Sequence, residues 1–98
     1  MGLKEKIRDA ISARVEGWCA DLPLKKLKKI RKQLKRIRDG ELLLEDASRK
    51  TRKLVKIATR CGGVLARGWD ALPEPVKERL IIVLIAILTV RIESVAVA

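Results

Sequence analysis

Histidine, phenylalanine and tyrosine are absent from this 98-residue chain, and tryptophan occurs only twice. Without His or Tyr, the side chains most used for proton transfer near neutral pH are missing. Ser12, Ser48 and Ser94 have no partner base, and Gly62, Gly63 and Gly68 fit no phosphate-binding glycine motif. No enzyme and no cofactor is expected. Trp18 and Trp69 are too few to stack a run of single-stranded bases. A cationic face on this chain would therefore sense backbone charge, not base identity.

Cysteine is scarce as well. Cys19 and Cys61 lie far apart, with no CxxC spacing and no His to complete a zinc site. Two reduced, half-buried thiols are expected, with one disulfide as the alternative in an oxidising compartment. No metal site is expected either. Glu41 and Glu45 share a helical face, but without carboxylates facing them they read as partners of a helix dipole. Met1–Asp9 already holds five charged residues, so it does not read as a secretory signal. Gly2 is followed by Lys6 where a myristoylation motif wants Ser or Thr.

What the chain does have is positive charge: 23 Lys and Arg against 12 Asp and Glu, a formal net +11. A chain of this size makes a single domain with a modest core. An excess of that size repels itself when compact and attracts phosphates, lipid head groups or acidic proteins.

The apolar periodicity is helical. Leu3, Ile7, Ile11, Val15, Trp18 and Leu22 follow at intervals of three or four, one face of a helix. Asp21-Leu22-Pro23 breaks the chain and restarts it, with Pro23 at a first helical position. Leu24, Leu27, Ile30, Leu34 and Ile37 form a narrow seam, and Asp39-Gly40 ends it. A third helix is predicted from about Glu41, with Glu45–Arg49 and Asp46–Lys50 as favourable i,i+4 pairs. Leu43, Ala47, Leu54, Ala58, Cys61, Leu65 and Trp69 keep its phase, polar Thr51 bridging the gap. Gly62-Gly63 costs a helix roughly 2 kcal/mol against alanine, so a kink is expected there, then a short helix to about Ala71. Leu72-Pro73-Glu74-Pro75 turns into a last helix. Its β-branched residues leave a strand as the alternative. The predicted fold class is all-α, with three to five helices.

Two stretches carry the functional expectation. Between Leu24 and Arg38 stand nine basic residues and no acidic one: Lys25, Lys26, Lys28, Lys29, Arg31, Lys32, Lys35, Arg36 and Arg38. Four same-sign i,i+4 pairs result, together costing about 1–2 kcal/mol in an exposed helix. Packing of the leucine seam or a polyanion along the cationic face must offset that. A second cluster, Arg49, Lys50, Arg52, Lys53, Lys56 and Arg60, repeats the theme. Lys outnumbers Arg in the first cluster, which suits diffuse attraction better than bidentate base readout.

The other stretch is Leu80–Val90, eleven residues of which only Thr89 is polar. It divides the chain into a basic amphipathic region, residues 1–79, and an apolar segment, residues 80–98. As a helix the run rises only about 16 Å against a bilayer core of about 30 Å. Extension to Ala98 brings in Arg91 and Glu93. A helix with no polar face is a buried one. Three amphipathic neighbours in so small a chain are expected to struggle to cover it. Leu80, Ile81, Ile82, Val83, Leu84, Ile85, Ile87 and Leu88, with Trp69 at the edge, are therefore expected to meet a membrane or another subunit, a monomeric core being the remaining option.

The leading expectation is a membrane-associated structural or interaction protein, of the kind a virion or mobile element contains. Its basic region would face the cytoplasmic or virion-interior side, on anionic lipid or nucleic acid, in a homo-oligomer or larger assembly. The alternatives are a cytoplasmic, sequence-independent nucleic-acid binder and a membrane-perturbing toxin, holin or bacteriocin-like protein.

Overall fold

The computed structural model describes residues 3–61, 69 and 72–97. Among them are four α-helices and no strand: α1 (Leu3–Cys19), α2 (Leu24–Arg38), α3 (Arg49–Cys61) and α4 (Glu74–Val97). A single 3-10 turn, Leu44–Asp46, lies between α2 and α3. The all-α expectation holds, and the strand alternative for the apolar run falls away.

Helix α1 places Ile11, Val15 and Cys19 in the core, with Trp18 and Leu22 packed against it. It stops at Cys19, and Leu22 N–H closes the following turn on the Cys19 carbonyl at 3.0 Å. Pro23 then serves as the N-cap of α2, so the helix starts at Leu24, one residue later than the sequence reading placed it. The extended backbone of Pro23 (φ −68°, ψ 154°) leaves its carbonyl free to accept from Lys26 and Leu27. No side chain caps this end.

The seam of α2 is as expected. Leu27, Ile30 and Leu34 are buried, with Leu24 and Ile37 packed at its margins. The stop is a Schellman motif. Gly40 N–H bonds the Ile37 carbonyl at 3.2 Å, and Glu41 N–H reaches back to Arg36 at 2.8 Å. That geometry needs a left-handed residue, and Gly40 supplies it at φ 78°.

The predicted third helix starts eight residues late. Residues 41–48 form an irregular segment around the 3-10 turn, and α3 begins only at Arg49. The apolar spacing that suggested an earlier start was accidental, because Leu43 is 61% exposed. Ser48 is the residue that starts the helix, and Ser is a far better cap than an interior residue. Glu41, Glu45 and Asp46 therefore lie outside α3, Glu45 and Asp46 in the 3-10 turn before it, and the pairs Glu45–Arg49 and Asp46–Lys50 do not form. The ion pairs among the described residues are Arg38–Asp39 at 3.1 Å and Glu74–Lys77 at 3.7 Å. The kink expected at Gly62-Gly63 and most of the short helix to Ala71 lie outside the described residues.

Pro73 opens α4, its carbonyl accepting from Val76 and Lys77 at 3.1 Å each. The helix spans 24 residues, a rise of about 36 Å. Leu80, Ile81, Leu84, Ile85, Leu88 and Ile92 are buried in the same core as α1, α2 and α3. The α2–α4 contact is the most extensive in the fold. Three helices do cover most of the apolar run Leu80–Val90, contrary to the expectation that they would struggle to. They manage because all three contribute apolar residues to the core that α4 shares: Ile11 and Val15 from α1, Leu27, Ile30 and Leu34 from α2, and Leu54, Val55 and Ala58 from α3. No described helix is long and apolar enough to cross a membrane.

Candidate polyanion interface

The start of α3 is tied to α2 through one glutamine. In a capping box, a Glu or Gln at the third helical position accepts the N-cap N–H. The third residue of α3 is Thr51, too short to reach back. Gln33 of α2 fills the role from outside. Its Oε1 accepts the Ser48 N–H at 3.1 Å and the Thr51 hydroxyl at 2.6 Å. With the Thr51 proton so committed, the Ser48 hydroxyl donates to Thr51 Oγ1 at 3.0 Å and accepts the Thr51 N–H at 3.4 Å. Thr51 is fully buried, so these bonds satisfy a hydroxyl that water cannot reach. Sequence reasoning treated Thr51 as a gap in an apolar phase and missed Gln33 altogether. The one signal was a lone uncharged polar residue inside a run of lysines.

With the seams turned inward, the cations turn outward. Lys25, Lys26, Lys28, Lys29, Lys32, Lys35, Arg36 and Arg38 on α2 are exposed. Arg38 is partly engaged by Asp39. Arg31 differs. It is half-buried and donates from Nη1 to Thr89 Oγ1 of α4 at 3.5 Å, so it belongs to the α2–α4 contact and not to the cationic face. On α3, Arg49, Lys50, Arg52, Lys53, Lys56 and Arg60 are all exposed. One side of that helix lines an open groove of about 530 Å³, built from Arg49, Arg52, Lys53, Lys56, Ile57 and Arg60. These positions recur at helical spacing over about 16 Å.

The distribution of charge is sharper than the total. Nine cations on α2 and six on α3, against Asp39, Glu41, Glu45 and Asp46 between them, account for the whole net +11. The remainder of the chain carries eight charges of each sign. Helix α3 repeats the like-charge strain of α2, with Arg49–Lys53, Arg52–Lys56 and Lys56–Arg60 at i,i+4, roughly 0.2–0.5 kcal/mol each. Its first turn holds cations and no acid, the wrong sign for the positive end of a helix dipole. An anion against α3 relieves both.

The apolar residues expected to meet a membrane or partner divide into two groups. Leu80, Ile81, Leu84, Ile85 and Leu88 are core, and Val83 and Ile87 pack partly against it. Ile82 is exposed, together with Ala86 and Val90. Trp69 is half-buried under the Lys77 ammonium, which sits 5.7 Å from its ring centroid. Cys19 is a free, buried thiol. Burial raises its pKa, and the nearby Arg91 guanidinium partly opposes the rise. Among the described residues no three His, Cys, Asp or Glu side chains gather to hold a metal.

Comparison with protein-family models, curated proteins and solved structures finds no match to this chain.

Proposed function

We propose that this chain is a non-enzymatic interaction protein that docks on a phosphate-bearing polyanion through the exposed cationic faces of α2 and α3. A nucleic-acid backbone, held without regard to sequence, fits that surface best. The observation that carries the reading is the concentration of fifteen cations and no acid on two helices, all exposed apart from Arg31. A solvated helix kept only for solubility normally mixes both signs. Among the described residues the large apolar side chains that are exposed, Leu43, Ile82, Val90 and Val95, all lie off α2 and α3, so the cationic faces offer charge with only the half-buried Ile57 as an apolar element. That suits diffuse phosphate contacts more than insertion between lipids or bases.

A second reading has its own observation. Ile82, Ala86 and Val90 leave an exposed apolar strip on α4, and such a strip can rest at a lipid interface while polybasic helices are drawn to anionic head groups. A membrane-associated virion or mobile-element component belongs here, as does a membrane-perturbing toxin.

The test is binding to two unrelated DNA duplexes, beside flotation with anionic and with neutral vesicles. The first reading expects equal affinity for both duplexes, falling steeply with salt, and no flotation at high salt. Flotation that survives high salt, or dye leakage from vesicles at low protein ratio, selects the second reading. No binding to any of these polyanions contradicts both.

A further inference from the structure

The exposed stripe of α4 has an internal symmetry that neither the core nor the cationic faces require. Its members are Arg79, Ile82, Ala86, Val90 and Glu93, all exposed. Their spacing is three, four, four, three, the same read from either end, with Ala86 at the centre. A cation closes one end and a carboxylate the other. From this we infer that the stripe is the seam of a two-fold homodimer, in which the α4 helices of two copies pack antiparallel about Ala86.

A two-fold contact uses one patch twice, so the residues facing each other must suit each other in pairs. In the antiparallel register centred on Ala86 they do. Ala86 meets its own copy, and the small side chain lets two helix axes approach closely. Ile82 meets Val90, and Val90 meets Ile82. Arg79 meets Glu93 at both ends. A parallel pair would instead set Arg79 against Arg79 and Glu93 against Glu93, so the charges choose the direction. Arg79 and Glu93 cannot satisfy each other within one copy, because 14 residues of helix hold them about 21 Å apart. Neither takes part in an ion pair among the described residues.

The charge distribution permits this contact despite net +11 per copy. The stripe is the solvent side of α4, and the cations of α2 and α3, Arg31 apart, are exposed elsewhere on the molecule. The seam itself is neutral overall. One helix a side falls short of the roughly 1,600 Å² of a standard interface, so the dimer is weak. Salt strengthens it by screening repulsion between two copies, and weakens the exposed Arg79–Glu93 pairs only modestly. This inference rests on the α4 stripe alone and is independent of what α2 and α3 bind.

Sedimentation equilibrium in high salt, from about 10 µM to about 1 mM, covers the range expected of such a small interface. The apparent mass should rise from 11.0 kDa toward twice that with concentration. Ala86→Glu sets two like charges on the axis and should hold the chain at monomer mass throughout. Glu suits an exposed helical site, so circular dichroism should stay unchanged. Arg79→Glu and Glu93→Arg should each weaken association several-fold, and the double swap should restore it. Three results overturn the inference: a wild-type chain that stays monomeric at the highest concentration, self-association indifferent to Ala86→Glu, or a double swap no better than the single ones. Binding of neutral vesicles by a wild-type monomer, lost in Ala86→Glu, likewise overturns it by giving the strip to lipid.

Discussion

Replacing Gln33 by alanine removes the one α2 side chain that caps α3. Two donors lose their acceptor. The Ser48 N–H is half-buried and can turn partly to water. The Thr51 hydroxyl is fully buried and cannot. A typical hydrogen bond contributes about 0.5–1.5 kcal/mol net, so the pair amounts to about 1–3 kcal/mol. In a domain of this size 1 kcal/mol moves Tm by about 4–8 °C. Gln33→Ala should therefore lower Tm by at least about 4 °C, measured by circular dichroism of the helical signal. Gln33→Glu keeps an acceptor of the same reach and should recover most of the loss. Thr51→Val removes the buried hydroxyl itself, so the losses of Thr51→Val and Gln33→Ala should not add, with a coupling of about 0.5–1.5 kcal/mol. A Gln33→Ala melt within about 1 °C of wild type, or strict additivity of the two changes, would refute the clamp.

Other substitutions test the fold at separate points. Leu84→Ala opens a hole among α1, α2 and α3 at a fully buried site and should cost about 2–5 kcal/mol in urea denaturation. Gly40→Ala puts a side chain at φ 78° and should cost about 1–2 kcal/mol by the same assay. Gly17→Ala, on an exposed stretch of α1 with nothing within 4 Å of the added methyl, should stabilise by up to about 1 kcal/mol. For Cys19 the sign follows from its raised pKa: the folded thiol keeps its proton where the unfolded one has lost it. Stability should therefore fall as pH rises through about 9.0, and Cys19→Ala should flatten that part of the profile. A wild-type curve no steeper there than the variant's would contradict the burial of this thiol.

The reach of the sequence differs from element to element. The seam of α2 was legible because its leucines and isoleucines stand out against a background of lysine, and Gly40 marks its end without ambiguity. The start of α3 was not. Leu43, Ala47 and Thr51 keep helical spacing by chance, and the competing signal, Ser48 as a cap, needs Gln33 from a helix fifteen residues away. Local periodicity cannot register a cap supplied from elsewhere. The cationic site was readable as charge, yet Arg31 looked like any other member of the run until its packing against Thr89 removed it. The burial of α4 was misjudged for a reason of geometry. Coverage depends on the combined width of three apolar stripes, which no single helix displays. The exposed Ile82, Ala86 and Val90 are what those stripes leave uncovered.

The central claim is that α2 and α3 together hold phosphates by charge. The direct measurement is the salt dependence of duplex DNA binding, for wild type and for a chain with Arg52, Lys53 and Lys56 changed to Gln. Each phosphate contact contributes about −0.9 to the slope of log K against log salt. The triple change should make the slope shallower by about two to three and weaken binding to every sequence alike. Arg14→Gln, on α1, where cations and acids are mixed at four to three, should leave the slope unchanged. A slope near zero in the wild type, or one the triple change does not alter, contradicts the account.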